Sequence, residues 1–340
     1  MTLELQETDG RRLYVAKEGH GVLGYIAIDS MIDGRARGGL RMLPDVSADE
    51  IRDAARAMTL KYGFLGLPQG GAKAGVRGDP EAEAREKQAQ LVRFAKVAQP
   101  LLTERVYIPD TDLGTRTEDI QAMMRSVGAR PGRRHWRTTR SGYYTALSCL
   151  ISAEAALAHR HAALEGQRVA IEGFGSVGSH LAQLLESRGA TVVAVSTSQG
   201  AIFDPAGLDI DGLIRSSATH GSAFVHQVDP GLQIERAGLL ELPVDLLCPC
   251  ARRHSIHETN ASAIQAPVIC SGANDPVSPE AEQWLETRGT LVLPEFVTNS
   301  GGVLGGTMDF AGVEDSAVTG LFESFYRERI STLLDAVDGE

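Results

Sequence analysis

The segment "QRVAIEGFGSVGSHLAQLLESRGATVVAVSTSQG", residues 167–200, decides the fold. It reads as an apolar strand, a turn in which Gly173, Gly175 and Gly178 follow the spacing G-x-G-x-x-G, an amphipathic helix over about residues 177–188, and a second apolar strand. In this order the first glycine makes a tight turn, the second lets a pyrophosphate approach the backbone, and the third lets helix pack on strand. The free N–H groups at the helix N-terminus then face the phosphates. The pattern predicts a Rossmann-like, doubly wound dinucleotide-binding domain in an α/β protein.

The end of the second strand bears on which dinucleotide binds. An Asp or Glu usually follows this strand, holds the ribose hydroxyls and repels a 2′-phosphate. Here "VVAVSTSQG" has Ser196, Thr197 and Ser198 at that place. Because small hydroxyl side chains accept either sugar, the expected cofactor is NAD or NADP, with a slight preference for an NADP-tolerant site.

The first part of the chain predicts a second α/β domain. Apolar strand-like segments, "LGYIAIDSMID" and "RVYIPDTDL", alternate with helical patterns over residues 47–64 and about 81–98. The segment "ARPGRRHWRTTRSG", rich in Arg, Pro and Gly, breaks this pattern and is the candidate joint between domains. We therefore predict an N-terminal domain over 1–138, the dinucleotide-binding domain over 139–305 and a short C-terminal helical segment over 306–340.

Composition excludes several function classes. The chain has 340 residues, of which 43% are hydrophobic, as in an ordinary globular protein of about two domains. It has no transmembrane run, and the N-terminus "MTLELQETDG" lacks the regions of a signal peptide, so a cytoplasmic location is expected. The net charge is 33 minus 44, or -11, with no basic block. Nucleic acid and anionic membranes are therefore not expected partners.

The cysteines predict neither a disulfide framework nor a metal site. There are four, irregularly spaced: Cys149, Cys248, Cys250 and Cys270. Reduced thiols are the simple interpretation. The stretch "CPCARRHSIH" places two of them near His254 and His257, a set that can hold zinc. The spacing matches no usual structural zinc pattern, however, and "VDLLCPCA" resembles a buried strand leading into a loop, so no metal is predicted.

Two lysines in "LKYGFLGLPQGGAKAG" are candidate functional residues. Lys61 lies near the end of a helix that opens with a capping box, Ser47 to Glu50, and it leaves the helix from its apolar stripe. A functional charge and a helix-end lysine that reaches water are equally open interpretations at this point. Lys73 is flanked by glycines that let another molecule approach the backbone. A lysine in such a dry niche can have its pKa lowered toward neutrality and act as a general base.

Ten motifs in order resemble one family across nearly the whole chain, the glutamate/leucine/phenylalanine/valine dehydrogenases, which oxidatively deaminate L-amino acids. The motifs are "RGGLRM", "MTLK", "GLPQGGAKAG", "GDP", "PDTDLGT", "GFGSVG", "GAIFDPAGLD", "CPCA", "SGANDP" and "LPEFVTNSGGV". The resemblance implies an N-terminal domain for substrate binding and oligomerisation, a Rossmann-like cofactor domain, and a cleft between them that closes on substrate. It implies reversible, NAD(P)-dependent conversion of an L-amino acid to a 2-oxo acid and ammonia by a homo-oligomer, a dimer or larger.

The resemblance also assigns catalytic roles. Lys61 in "MTLK" resembles the lysine that binds the substrate α-carboxylate, and Lys73 in "GGAK" resembles the catalytic lysine. After hydride leaves Cα, a neutral lysine can activate the water that attacks the imine and stabilise the carbinolamine. Asp112 in "PDTDLGT" resembles the second proton carrier. Asp110 shares its face by strand alternation, but the following "DLGT" favours Asp112.

The remaining matched positions concern substrate and cofactor contacts. Gly39 of "GGLR" and Thr139 match substrate-binding positions, although Arg140 follows where the family usually has glycine. Asn274 in "GAND" and Asn299 in "TNSGGV" resemble the asparagines beside the nicotinamide ribose and carboxamide. The expected cofactor-binding set is Gly173, Gly175, Ser176, Val177, Gly178, Thr197, Ala251, Asn274 and Asn299.

Arg37 bears on the choice of substrate. It precedes the "GGLR" glycines where the glutamate enzymes carry a lysine for the side-chain carboxylate and the leucine enzymes an apolar residue, so an acidic substrate is slightly favoured. Two departures argue against an acidic substrate. Gly306 lies where the family has a serine, its second residue that recognises the glutamate side chain, and the C-terminus is short.

Two alternatives therefore remain. One is an aliphatic or aromatic amino-acid dehydrogenase with Arg37 turned to solvent. The other is a dinucleotide-binding regulatory protein with weakened turnover, although the retention of Lys61, Lys73 and Asp112 together argues against it.

Overall fold

The computed structural model describes residues 1–130 and 140–337. The chain divides into two compact units, Met1–Arg134 and His135–Glu340, called unit 1 and unit 2 below. The predicted boundary between residues 138 and 139 lies outside the described residues, so the three-part division of the chain stays a prediction.

Unit 1 is built on a mixed sheet covered by helices. Over residues 1–130 the sheet has six strands in the order β1-β2-β3-β5-β4-β6, where β4 is parallel to both β5 and β6 and the other pairs are antiparallel. The strands are β1 Thr2–Thr8, β2 Arg11–Glu18, β3 Gly21–Ile28, β4 Ala36–Leu43, β5 Gly70–Arg77 and β6 Tyr107–Thr111. The helices are α1 Ala48–Phe64, α2 Ala84–Val97, α3 Gln99–Thr103 and α4 Thr117–Ser126.

The glycine-rich segment around Lys73 forms β5, an interior strand of this sheet, which sequence periodicity did not predict. Glycine is disfavoured in strands, but it lets another backbone approach closely. A Cβ at Gly71 would lie 2.3 Å from the backbone nitrogen of Thr59, and one at Gly75 would lie 2.8 Å from Cδ1 of Ile51. The glycines therefore let α1 pack directly on β5.

On the face of the sheet opposite α1, the alternate residues of β4 and β5 form a hydrophobic core. Leu40, Ala72 and Ala74 are fully buried there with Phe94 of α2 and Met123 of α4. The predicted helix over 47–64 is confirmed as α1, with Ser47 as its N-cap accepting from the Glu50 N–H. The helix predicted over about 81–98 is confirmed as α2, which the short helix α3 follows.

Unit 2 has the predicted doubly wound architecture. Its sheet, within residues 140–337, has the order β10-β9-β8-β7-β11-β12-β13, in which β8, β7, β11, β12 and β13 are parallel. The strands are β7 Arg168–Glu172, β8 Thr191–Thr197, β9 Gly200–Phe203, β10 Gln233–Ile234, β11 Leu246–Pro249, β12 Val268–Cys270 and β13 Leu291–Leu293. The strand order reverses between β7 and β11, the place where such sheets bind ligands at the carboxyl ends of their strands.

The helices of unit 2 cover this sheet. They are α5 Ser141–His159, α6 Ser176–Ser187, α7 Ile210–His220, α8 Pro279–Thr287, α9 Glu295–Thr298, α10 Gly301–Phe310, α11 Asp315–Leu321 and α12 Arg327–Val337, and a π-helical turn, Phe322–Tyr326, joins the last two. Phe322 stacks on Tyr144 of α5 with ring centroids 5.8 Å apart.

No helix in the described part of the chain is long and apolar enough to cross a membrane.

Candidate active site

One face of the sheet in unit 1 collects the charged side chains. Because side chains alternate along a strand, Arg37, Gly39 and Arg41 of β4 share one face, whereas Leu40 and Met42 enter the core on the other. Arg37 is paired in register with Gly71 of β5, on whose face α1 packs. The α1 side of the sheet therefore carries the predicted catalytic residues.

Lys73 and Asp112, to which the resemblance gave catalytic roles, lie side by side on this face. The Lys73 Nζ lies 2.9 Å from Oδ2 of Asp112, and both side chains are largely buried. The same oxygen accepts a hydrogen bond of 2.8 Å from Nε of Arg41, whose Nη1 in turn donates to Oε1 of Glu50. Glu50, Arg41, Asp112 and Lys73, called the charge cluster below, thus form a chain of alternating charge.

The charge cluster fixes the protonation state of Asp112. Burial alone would raise the pKa of this carboxyl, but the nearby charges and hydrogen bonds of Lys73 and Arg41 outweigh burial and hold the pKa well below its usual range. Burial likewise opposes the charge of Arg41, yet Asp112 and Glu50 raise the pKa of its guanidinium. Asp112 is therefore a carboxylate at neutral pH and can accept a proton.

Gly39 lies directly beside this pair. A Cβ at Gly39 would stand 2.8 Å from Cβ of Asp112 and 3.2 Å from Nζ of Lys73. Any side chain here would displace one of the two, so the glycine leaves room for the cluster to form. Sequence reasoning placed Gly39 among the substrate contacts but missed Arg41 and Glu50. The available signal was Arg41 in the quoted motif "RGGLRM".

Arg37 forms a second ion pair on the same face. Its Nη2 donates to Oδ2 of Asp110 over 2.9 Å, and both side chains are about one-fifth exposed. The two aspartates, which alternation placed on one face, therefore have different cationic partners. Among the described residues Arg37 uses one of its five N–H donors in this pair.

Lys61 is buried, so of the two interpretations that the sequence left open, the helix-end lysine that reaches water is not what the structure shows. It lies in the last turn of α1 and is 6% exposed. Thr59, two residues earlier, packs against Gly71 of β5, so this end of the helix lies against the strand that carries Lys73. Thr139, the other expected substrate contact, lies outside the described residues.

In unit 2 the three glycines of the fingerprint have the three expected geometries. Gly173 has φ of +97°, a conformation that favours glycine. A Cβ at Gly178 would lie 1.9 Å from the carbonyl oxygen of Gly173, so helix α6 packs tightly on the turn. A Cβ at Gly175 would have nothing within 4 Å, which leaves space beside the backbone at the N-terminus of α6. We call these three residues the glycine cradle.

The other predicted contacts surround the cradle. Ala251 packs against Gly173, since a Cβ added at Gly173 would lie 2.9 Å from the Cα of Ala251. Val177 packs against Gly272, and Ser176 lies against Gly142 at the start of α5, again too close for an added Cβ. Gly142 and Gly272 were not predicted as part of the site.

Hydroxyl groups replace the usual acid at the end of β8. Ser196 Oγ accepts from the N–H of Gly173 over 3.0 Å, which ties β8 to the turn. Thr197 Oγ1 donates to the Ser222 carbonyl over 2.8 Å and accepts from the Gln199 N–H. Both hydroxyl groups are therefore engaged in contacts within unit 2.

The two predicted asparagines also meet. Asn299 Nδ2 donates to the Ala273 carbonyl over 2.7 Å and to Oδ1 of Asn274 over 3.1 Å. Asn299 is only 5% exposed, and its Oδ1 has no hydrogen-bond partner among the described residues. A buried acceptor without a partner is costly, so this oxygen is suited to a donor on a bound ligand.

The four cysteines all belong to unit 2. All four are free thiols, and Cys149 and Cys270 have sulfur atoms 3.7 Å apart in the core of unit 2. Over residues 1–130 and 140–337, no group of three or more His, Cys, Asp or Glu side chains has an arrangement that could hold a metal ion.

Two family models match the chain. Residues 13–129 match "Glu/Leu/Phe/Val dehydrogenase, dimerisation domain", and residues 139–319 match "Glutamate/Leucine/Phenylalanine/Valine dehydrogenase". The two matches divide the chain at the same place as the two compact units.

Individual relatives agree with these matches. The chain is 35% identical to a glutamate dehydrogenase of Thermotoga maritima and 34% identical to an NAD-specific glutamate dehydrogenase of Staphylococcus aureus. Each alignment covers 82% of this chain and 70% of the relative. Among solved structures, a hetero-hexameric glutamate dehydrogenase of Thermus thermophilus in its Leu-bound form superposes with a TM-score of 0.75 at 26% identity, over 95% of this chain and 80% of that one.

Proposed function

The chain belongs to the glutamate/leucine/phenylalanine/valine dehydrogenase family of NAD(P)-dependent amino-acid dehydrogenases, and from this premise we propose that it oxidatively deaminates an L-amino acid with an acidic side chain, glutamate or a close analogue. The observation that carries the proposal is the buried ion pair between Lys73 and Asp112, with Nζ and Oδ2 2.9 Å apart. This pair differs from the buried pair of Lys87 and Asp119 because Arg41 shares its carboxylate oxygen and Gly39 leaves no side chain beside it. Such an arrangement suits proton transfer.

Three side chains divide the chemistry on the substrate. Lys61 binds the α-carboxylate, because a charge-assisted hydrogen bond to a carboxylate is among the stronger polar contacts in proteins. Lys73, in its amine form, accepts a proton from the water that attacks the imine carbon and then stabilises the carbinolamine. Asp112, which is ionised, accepts that proton from Lys73 across their 2.9 Å contact and gives it to the carbinolamine nitrogen. Ammonia then leaves while the carbinolamine hydroxyl gives its proton to Lys73, and the 2-oxo acid forms. Arg41 keeps the Asp112 carboxylate oriented toward Lys73 during these steps.

The residues of unit 2 fit a nicotinamide dinucleotide. The open backbone at Gly175 and the N-terminus of α6 suit a pyrophosphate, and the free Oδ1 of Asn299 suits the N–H donors of a carboxamide. When bound, NAD(P) supplies the hydride acceptor for Cα. Thr197, near the end of β8, would lie toward the ribose that distinguishes NAD from NADP.

The acidic substrate rests on Arg37, and so does a second candidate function. A cation on the face that carries Lys73 favours a side-chain carboxylate, and the guanidinium has donors beyond the one that Asp110 uses. Asp110, however, balances the charge of Arg37. Because Arg37 already has an anionic partner, it needs no carboxylate from the substrate. The second candidate function is therefore a dehydrogenase for aliphatic or aromatic amino acids.

The test is steady-state oxidation of a panel of L-amino acids by the purified chain, with NAD and NADP in parallel. We expect the highest kcat/KM for L-glutamate. Faster turnover of L-leucine or L-phenylalanine would establish the second candidate instead. If no amino acid supports NAD(P)H formation, while the protein is folded and binds NADH, the proposal of catalysis is wrong.

We further propose that the chain forms a homo-oligomer through unit 1. The family model that matches this unit is described as a dimerisation domain, and the similar protein from Thermus thermophilus is a hetero-hexamer. Light scattering on the purified protein tests this proposal, and a monomer at micromolar concentration would contradict it.

A further inference from the structure

The segment that carries Asn299 is held by buried hydrogen bonds on both sides of it. Residues 297–301, called the asparagine turn below, run from the last two residues of α9 to the first residue of α10. The Thr298 carbonyl accepts from Ser148 Oγ over 2.8 Å, and the same Oγ accepts from the Gly301 N–H over 3.1 Å. Thr298 Oγ1 in turn donates to the Ser271 carbonyl over 2.5 Å. Helix α5 and the end of β12 thus fix the turn from one side.

Tyr326 fixes the asparagine turn at two further points. Its hydroxyl donates to the Val297 carbonyl, and it lies 2.9 Å from the hydroxyl of Ser300. Since the single phenolic proton is directed to Val297, the hydroxyl of Ser300 is the donor in the second contact. The two contacts flank Asn299, one residue after it and two before it. Tyr326 is fully buried, so water cannot replace either hydrogen bond.

Tyr326 is the last residue of the π-helical turn. Phe322–Tyr326 interrupts the α-helical path between α11 and α12, and such insertions are frequent at functional sites. Phe322 stacks on Tyr144 and packs against Tyr326, with ring centroids 5.3 Å apart in the second pair. Tyr144 at the far end of this row directs its hydroxyl to Asp315 instead, over 3.2 Å. Only one of the two tyrosine hydroxyls in the row therefore contacts the asparagine turn.

We propose that Tyr326 is a positioning residue for the nicotinamide cofactor, which holds the Asn299 amide so that its free Oδ1 presents to the carboxamide. The proposal rests on the proposed function, since it requires a nicotinamide dinucleotide in unit 2. Asn299 cannot turn its amide without losing the two bonds from Nδ2, and its main chain cannot move without breaking the contacts of Tyr326. The C-terminal helices thereby contribute to cofactor binding without touching the cofactor.

The first experiment compares Tyr326→Phe with Tyr144→Phe. Each variant removes one hydroxyl from the same row of aromatic rings, and both rings are buried. Binding is measured by titration of protein fluorescence with NADH in the absence of substrate, and thermal unfolding is recorded for each protein. We expect Tyr326→Phe to raise the Kd for NADH about tenfold, while Tyr144→Phe leaves it within about twofold. Equal Kd values for the two variants would overturn the proposal, whatever their unfolding temperatures.

A double-mutant cycle tests the route through Asn299. In an Asn299→Ala background, Tyr326→Phe should no longer weaken NADH binding, because the amide that it positions is gone. An unchanged effect in that background would show that Tyr326 acts by another path. Ser300→Ala removes one contact from the opposite side and replaces Tyr326→Phe if that variant does not fold. Failure of the wild-type chain to bind NADH would instead contradict the proposed function.

Discussion

The charge cluster of unit 1 and the glycine cradle of unit 2 suit their proposed tasks, proton transfer and pyrophosphate binding, in opposite ways. The cluster joins four ionisable side chains from α1, two strands and the end of a third within hydrogen-bonding distance. The cradle has no charged side chain among its three residues and relies on a positive φ at Gly173, close packing at Gly178 and open backbone at Gly175.

The difference follows from the two tasks. Proton transfer needs groups that change charge, and these must be paired because an isolated buried charge is very costly. A pyrophosphate already carries its charge, so backbone N–H groups and a helix N-terminus are sufficient to bind it. Substitutions in unit 1 should therefore change the rate of chemistry, and substitutions in unit 2 should change the affinity for cofactor.

Lys73→Ala is the strongest test of this division. We expect kcat to fall about a thousandfold or more, on the order of 4 kcal/mol in the barrier, because a proton acceptor used in several steps is lost. The Kd for NADH should not change. Lys87→Ala is a matched control, since Lys87 is equally buried, at 8% against 7%, and also pairs with an aspartate, Asp119, over 3.1 Å. A comparable loss of NADH affinity in Lys73→Ala would break the comparison.

Asp112→Asn should have the next largest effect. The amide keeps the shape of the side chain but cannot carry a proton, so kcat should fall at least about a hundredfold with the fold intact. Stopped-flow measurement of NADH formation and circular dichroism check both parts. Asp110→Asn serves as the control and should keep the rate of the chemical step within about a few-fold of the wild type. If Asp110→Asn were the more damaging change, the assignment of the two aspartates would be reversed.

Arg37→Leu tests whether the charge of Arg37, on the same sheet face as Lys73, determines which amino acid is the substrate. If Arg37 contacts a side-chain carboxylate, the variant should lose about ten- to a hundredfold in kcat/KM for L-glutamate relative to L-leucine. Arg37→Lys keeps the charge and should preserve most of the preference. Measured ratios that do not change in Arg37→Leu would support the aliphatic or aromatic substrate and limit the role of Arg37 to its pair with Asp110.

Two alanine substitutions should separate packing from binding within the cradle. Gly178→Ala forces a Cβ to within 1.9 Å of the Gly173 carbonyl and should destabilise the protein by about 1–3 kcal/mol. Gly175→Ala meets no atom within 4 Å, so thermal unfolding should hardly change while the Kd for NADH rises about tenfold. Normal NADH affinity in a stable Gly175→Ala protein would show that the open backbone does not receive the pyrophosphate.

The cradle was predictable from the sequence because its determinants are local. A strand, a glycine turn and a helix follow one another within residues 167–200, and each glycine has its own steric reason. The neighbours Gly142 and Gly272 were not predicted, since they reach the cradle from distant parts of the chain.

The charge cluster was predictable only in part. Resemblance identified Lys73 and Asp112, but the pairing of Arg41 with Asp112 depends on how β4 and β6 align, which no local pattern encodes. Alternation placed Asp110 and Asp112 on one face without indicating that Arg37 would lie opposite the first. Likewise, the low strand propensity of glycine concealed β5, whose stability comes from the helix packed on it.

That packing has a dynamic consequence for α1. The helix has 17 residues, with Glu50 bound to Arg41 near its start, Thr59 against β5, and Lys61 in its last turn. Ile51 and Thr59 of this helix both pack on glycines of β5, so its central amide protons should exchange with solvent only when the sheet itself opens. Opening of the sheet would therefore move Lys73 on β5 and remove the surface on which the helix that carries Lys61 is packed. A destabilised sheet would then cost unit 1 both lysine positions in the same opening event.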